Sequence, residues 1–367
     1  MKKIIFCLLT FSSLAFVRAQ SINEDFEKWT VKEKAINITG MDLSPDANQL
    51  ALVCGKVNNN PLMIYDIASR SIVKEIEVKA EFEGYNVYYS KLGNYLLIQE
   101  RKLETSIKKA KKVDYAVVDL NQEKEIIRFK KISDAKISTD ESKLYVLEDE
   151  ELKIYSLPEL KVIEKAKLDA ACNALAIHPN GSEIAVAVKP EKKELKNVPS
   201  LRNNKKVLKK AAKFRHMIAI FDAESFDKKQ LVNEVYDNIN LMFYSADGNK
   251  LTCFNAAPNS YVNVIDANNY EPLRESYLSR TNKQPDYNYG WNNKVFGIAT
   301  VDEWPAVNIY DVNSGSMLDS YDTKMKIWKN MKKKIYSGTN TSFVFLPDQR
   351  HVLIAYGNSL IKWKIKK

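Results

Sequence analysis

A short turn recurs seven times along this 367-residue chain, each time between two apolar runs, and that recurrence limits the fold more than any other feature. It reads Ser44-Pro45-Asp46-Ala47-Asn48-Gln49, Ser90-Lys91-Leu92-Gly93-Asn94 and Ser138-Thr139-Asp140-Glu141-Ser142-Lys143. It continues as His178-Pro179-Asn180-Gly181-Ser182-Glu183 and Ser245-Ala246-Asp247-Gly248-Asn249-Lys250. A degenerate copy lies at Gly290-Trp291-Asn292-Asn293-Lys294 and a last one at Leu346-Pro347-Asp348-Gln349-Arg350-His351. Pro, Asp, Asn and Gly each meet a steric or hydrogen-bonding demand of tight turns, so every copy predicts a β-hairpin. The runs that follow (50–54, 95–99, 144–147, 184–188, 251–254, 295–300 and 352–356) have the length and apolarity of buried strands. A variable loop then leads to a third strand at 62–66, 115–119, 152–156, 217–222, 262–266, 307–311 and 360–365, most of them ending in Asp.

A unit of four short strands repeated at about 40 residues is the blade of a β-propeller. The expectation is therefore an all-β chain forming a single propeller of four-stranded antiparallel blades. Seven units predict seven blades, with six and eight as the neighbouring counts. The last unit has no fourth strand of its own, and residues 29–36 are expected to supply it, closing the ring with strands from both ends of the chain. Such closure removes free sheet edges.

The S-P-D-G-type turn, the apolar strand after it and the I-Y-D-type third strand resemble the WD40-like and YVTN family of β-propeller repeats, in its divergent bacterial secreted form. The Trp-Asp and Gly-His pairs of eukaryotic WD40 repeats do not occur here. The resemblance spans residues 26–367 and implies a fold rather than an activity, because propellers host unrelated functions. Similar propellers include lactonases and quinoprotein dehydrogenases, so a propeller enzyme working in the central channel is the alternative to a binding module.

The residue inventory favours binding. Asp66, Asp119, Asp222, Asp266 and Asp311 recur once per unit at the end of the third strand, which predicts turn caps spread around a ring rather than an acidic centre. His178 and His351 fall in hairpin turns on one rim and His216 at a third-strand start on the other, so they cannot converge. No HExxH, GxSxG or phosphate-cradling glycine loop occurs. No catalytic residue, metal ligand or cofactor is predicted.

The first 19 residues read as an address. Lys2 and Lys3 precede an apolar run from Ile4 to Val17, and Val17-Arg18-Ala19 provides a cleavage site after Ala19. Residues 20–367 are then the exported propeller, periplasmic or extracellular. No later stretch approaches the roughly 20 apolar residues of a membrane span. Cys54, Cys172 and Cys253 remain, an odd number set in or beside apolar runs, which predicts buried free thiols.

Charge is distributed unevenly. The formal net charge is +10, and removal of the leader lowers it to +7. Three stretches break the repeat and all are basic: 101–112 carries +5, 189–215 carries +9 and 324–334 carries +6, leaving −13 on the rest. The first two join second to third strands and the third links two blades, which in an antiparallel blade places all three on one rim. The residues expected to meet a partner there are Lys108, Lys109, Lys192, Lys193, Lys205, Lys206, Lys209, Lys210, Lys213, Lys332 and Lys333, with Trp304 and Trp328 as the exposed aromatics. Tyr287, Tyr289 and Trp291 cluster by the strand entering the sixth unit and read either as part of that patch or as blade packing. Residues 200–215 read either as a solvated loop or as a basic amphipathic helix, with Val207, Leu208, Ala211 and Phe214 on its apolar side. The partner chemistry this implies is an acidic protein or an anionic envelope polymer, with an anionic membrane surface as a further candidate. Lys outnumbers Arg heavily, and lysine cannot read bases bidentately, so nucleic acid is not expected.

Overall fold

The computed structural model describes residues 26–32, 38–54, 62–78, 85–100, 112–168, 170–199, 201–206, 208–209, 215–256, 260–278, 286–301, 305–322 and 342–366. They form seven four-stranded antiparallel sheets arranged as a seven-bladed β-propeller. The innermost strand of each blade is the one before the recurrent turn: β2 (Ile38–Leu43), β6 (Tyr85–Tyr89), β10 (Asp134–Ile137), β14 (Cys172–Ile177), β18 (Ile239–Tyr244), β22 (Tyr287–Tyr289) and β26 (Ser342–Phe345). Neighbouring inner strands pack against one another around the central channel.

All seven turns share one geometry, including the degenerate copies. The fourth residue of each has positive φ: Ala47, Gly93, Glu141, Gly181, Gly248, Asn293 and Gln349. Its N–H donates to the carbonyl of the first turn residue, as Ala47 does to Ser44 and Gln349 to Leu346. In three of them the leading serine hydroxyl donates to the Asp two residues on, with Ser44, Ser138 and Ser245 bonded to Asp46, Asp140 and Asp247 at 2.5–2.6 Å. The expected third-strand caps also form. Turn N–H groups donate to Asp66 from Ser69, to Asp119 from Asn121 and Gln122, to Asp222 from Glu224 and Ser225, to Asp266 from Asn268, and to Asp311 from Ser314. The bonds from Ser69, Ser225, Asn268 and Ser314 hold four of these carboxyls below the ordinary aspartate range.

The core is a set of wedges between blades. Seven separate apolar clusters each combine side chains of two adjacent sheets; one joins Ile38, Leu50 and Tyr65 of the first blade to Val344, Leu353 and Leu360 of the last. Alternation along each strand sends successive side chains into the two flanking wedges, which is why the strands read as nearly continuous apolar runs. Cys54, Cys172 and Cys253 are buried free thiols, and burial pushes each up to about 12.

The ring closes as the repeat requires, with a shift. Strand β1 (Phe26–Thr30) pairs antiparallel with β28 (Ser359–Lys364), from Phe26 opposite Trp363 to Thr30 opposite Ser359. The closing strand therefore begins three residues before the expected 29–36. The indole N–H of Trp29 donates to the Tyr65 hydroxyl at 2.8 Å and the Arg70 guanidinium lies 4.6 Å over its ring, so the side chain expected to start the strand pins its far end.

Candidate functional site

The strand ends from which the three basic stretches depart lie on one rim. Glu100 ends the second strand of blade two opposite Tyr85, and Val188 ends that of blade four opposite Cys172; both partners are the first residues of inner strands. The link from Asp322 to Ser342 leads into the start of the inner strand of blade seven. Lys108, Lys109, Lys210, Lys213, Lys332, Lys333, Trp304 and Trp328 lie outside the described residues, as do Val207, Ala211 and Phe214.

The described residues between 189 and 209 fold back onto their own blade. A short helix α1 (Lys192–Lys196) opens the segment, and Lys205, Lys206, Leu208 and Lys209 have helical backbone. Leu195 and Val198 are fully buried against Met217, with Leu201, Leu208, Leu231 and Tyr236 packed around them. Burying two aliphatic side chains contributes roughly 1.5–3 kcal/mol each relative to exposure, enough to hold a short segment in place. The apolar side of the segment is thereby covered by strand β17 (Lys228–Asp237) of the same sheet. The first helix was not expected, because Lys192-Lys193-Glu194-Leu195-Lys196 offers a single apolar residue and no periodicity.

Both carboxylates of the segment are engaged locally. Glu194 accepts the Glu191 N–H at 2.7 Å and the Lys228 ammonium at 2.8 Å. Burial raises its carboxyl, and those two donors outweigh burial to hold it below the usual range. Glu191 pairs with the Lys193 ammonium at 2.9 Å on the surface. Lys192, Lys196, Lys205, Lys206 and Lys209 are exposed, and among the described residues no carboxylate pairs with them. Arg215 closes the segment with its guanidinium 5.5 Å over the Tyr236 ring, and the Lys189 ammonium donates to the Arg215 carbonyl at 3.3 Å.

The aromatic cluster of the sixth unit divides between two places. Trp291 stands in a hairpin turn on the rim opposite the basic segments, where its indole N–H donates to the Phe345 carbonyl at 3.0 Å, and so leaves the expected patch. Tyr287 and Tyr289 belong to the inner strand β22. The pairing of residues 287–289 with 296–298 fixes this, since a turn at 290–294 sends the chain to the hairpin rim.

A second constellation, not singled out in the sequence, surrounds the channel. The inner strand of a blade has one unpaired edge, and its N–H groups need acceptors. Polar side chains from the preceding blade supply them. Asp134 accepts the Leu175 N–H at 2.9 Å, Asp286 the Phe343 N–H at 3.0 Å, Ser342 the Met41 N–H at 2.8 Å, and Asp42 the Tyr89 N–H at 2.7 Å. Asn173 donates to the Ile239 carbonyl in the same way. Asp134 also accepts the Tyr115 hydroxyl at 2.9 Å and the Lys136 ammonium at 3.1 Å. Burial pushes the Asp42 carboxyl up to about 7 against the two backbone donors that lower it, and the charge of Asp286 adds to the rise. The signal in the sequence is a polar residue interrupting or opening the apolar inner strand two to five positions before the turn, as in Met41-Asp42-Leu43, Ser133-Asp134-Ala135 and Cys172-Asn173-Ala174.

Aromatic side chains fill the channel toward the hairpin rim. Phe243 stacks on Tyr287 with centroids 3.9 Å apart, and Tyr88 of blade two reaches within 6.2 Å of Tyr287 of blade six from across the ring. The histidines stay apart as expected: His178 sits in its turn beside Asn180, His351 pairs with Asp348, and His216 begins the third strand of blade four. Among the described residues no group of three or more His, Cys, Asp or Glu is arranged to hold a metal ion. Among the described residues no helix is long and apolar enough to cross a membrane. No family model and no curated protein matches this chain.

Proposed function

We propose that this chain is an exported, non-catalytic propeller of the WD40-like or YVTN type that works in the cell envelope. It holds an acidic protein or an anionic polymer on its lysine-rich rim. The observation that carries this reading is the state of the 189–215 segment: packed by Leu195 and Val198, with both of its carboxylates engaged and Lys192, Lys196, Lys205, Lys206 and Lys209 turned to solvent. A cluster of unpaired ammonium groups on a fixed support draws an anionic partner from a distance and needs little reordering on contact.

The buried leucine makes deletion of the segment an ambiguous test, because removal uncovers Met217, Leu231 and Tyr236. Charge reversal is cleaner. A Lys192→Glu, Lys205→Glu, Lys206→Glu, Lys209→Glu variant should keep the wild-type unfolding temperature and lose at least tenfold in affinity for poly-L-glutamate and in capture of partners from envelope extract. Equal capture by both proteins would sink the reading. Sedimentation with anionic vesicles in the same experiment separates a membrane surface from a soluble polyanion.

A channel enzyme of lactonase or quinoprotein-like type is the other reading. Against it weigh the commitment of Asp134 and Asp286 to neighbouring backbone and the packing of Tyr88, Phe243 and Tyr287 across the channel. Turnover of a lactone by the purified chain, abolished in Asp42→Asn, would reverse that preference.

A further inference from the structure

The mouth of the channel on the hairpin rim, opposite the lysine-rich segments, is a cavity of about 290 Å³. Five consecutive blades line it. Its walls include Tyr88, Lys136, Thr139, Phe243, Tyr244 and Tyr287. Tyr88, Phe243, Tyr244 and Tyr287 are all half-buried, and each leaves part of its surface uncovered at the centre of the ring, where the blade wedges end. Phe243 belongs to none of the wedge clusters and makes its ring contacts with Tyr287 and Tyr289. An aromatic side chain that adds to no core yet lines a concavity is placed for contact with something else.

The polar groups narrow what that is. The Lys136 side chain is about four-fifths buried, and its ammonium has one carboxylate contact, to Asp134, which other donors already engage. An ammonium carries three donors; one meets Asp134 and the group also lies 6.0 Å from the centroid of the Tyr88 ring, so its remaining donor capacity faces the cavity between that ring and Thr139. Thr139 adds a hydroxyl at the cavity wall. The Lys136 charge is balanced by Asp134, so a ligand with a full charge of either sign would lose its hydration without gaining an unengaged counter-charge. A wholly apolar ligand would strand the Lys136 and Thr139 donors away from water. The remaining fit is a ring with an apolar face and hydroxyls at its edge. Its size is bounded by the cavity, which stands at the lower end of the roughly 300–1,000 Å³ typical of small-molecule sites.

We propose that this cavity is a binding site for a neutral pyranose, whose C–H face lies against the surface that the Tyr88, Phe243 and Tyr287 cluster leaves uncovered by its own ring contacts, while its hydroxyls meet Lys136 and Thr139. The site is independent of the basic rim, being on the opposite face of the propeller and made of different residues.

Saturation-transfer NMR on the full chain with glucose, galactose, mannose and N-acetylglucosamine, each at tens of millimolar, tests the proposal. At least one sugar should receive magnetisation on its ring C–H protons. Phe243→Ala should weaken that sugar's binding at least tenfold. Lys136→Met, which keeps the packing of the stem, should weaken it several-fold; because it also takes the counter-charge from the buried Asp134 carboxylate, its unfolding temperature should fall, and binding is compared well below that transition. The four-lysine charge reversal on the other rim should leave it unchanged. Three outcomes overturn the proposal: no transfer to any of the four sugars, transfer that survives both cavity variants, or tighter binding of glucuronate or glucosamine than of the neutral parent sugar.

Discussion

Asp42 joins the inner strands of the first two blades through the Tyr89 N–H, and it does so from a site where burial pushes its carboxyl up to about 7. An unfolded aspartate titrates near 3.9. Between those values the folded chain holds a proton that the unfolded chain has released, so raising the pH through this window lowers stability. The contribution is fully present below about 4 and is lost as the pH passes about 7. The wild-type unfolding temperature should therefore carry a downward component from pH 4 to pH 7 that Asp42→Asn lacks, which parallel melts across that range would reveal. Gly297 exposes a different constraint. A β-carbon there would stand 2.5 Å and 2.7 Å from two ring carbons of Phe343 in the next blade and 3.1 Å from Ile309. Gly297→Ala is expected to destabilise the fold by about 1–3 kcal/mol, read as a lower urea midpoint with an unchanged slope. The three cysteines should be silent to a thiol reagent in the native protein and all react in guanidinium, since burial keeps each protonated.

The seven hairpins and the third strands were legible because their chemistry is local. A turn at Ser44-Pro45-Asp46 needs nothing from elsewhere in the chain, and β4 (Leu62–Asp66) has the bounds its apolar run predicts. Features that depend on a distant partner were harder to read. The closing strand, expected at 29–36, lies at 26–30, because its register is set by β28 and by Tyr65 rather than by its own pattern. Helix α1 is held by a single leucine and by Lys228, which is 34 residues away. The acids of the inner strands looked like interruptions of apolar runs, and only the neighbouring blade shows what they accept. Ser342 illustrates the point: it is fully buried, accepts the Met41 N–H and also donates to Asp286, so it ties the sixth, seventh and first blades together. Ser342→Ala leaves a buried N–H and a carboxylate each short of a partner and should cost about 1–3 kcal/mol. The same change at Ser69, in an exposed outer turn, should cost well under half of that, and chemical denaturation of the two variants side by side checks the contrast.

At the scale of the molecule the two rims carry different chemistry. One bears the departure points of every strongly basic stretch; the other carries seven turns of low formal charge, three net acidic, two neutral and two with a single lysine as their only charge, around an aromatic-lined mouth. A polyanion held on the first rim should be released as salt rises from about 0.05 to 0.5 M, because the Debye length shrinks to a few ångströms over that range. Sugar uptake at the second should be indifferent to the same change. Titrating both ligands across one salt series distinguishes the faces without any mutation.

The pairing of β1 with β28 also fixes an order of events. Residues 26–30 leave the ribosome more than three hundred residues before 359–364, the segment they pair with, so during synthesis each early blade waits with the ring open. A chain cut short at its C-terminal end has lost the partner of its own first strand and the last blade together. Only a chain that carries both segments can complete the seventh sheet, so loss of either one leaves a strand edge of that blade without its partner.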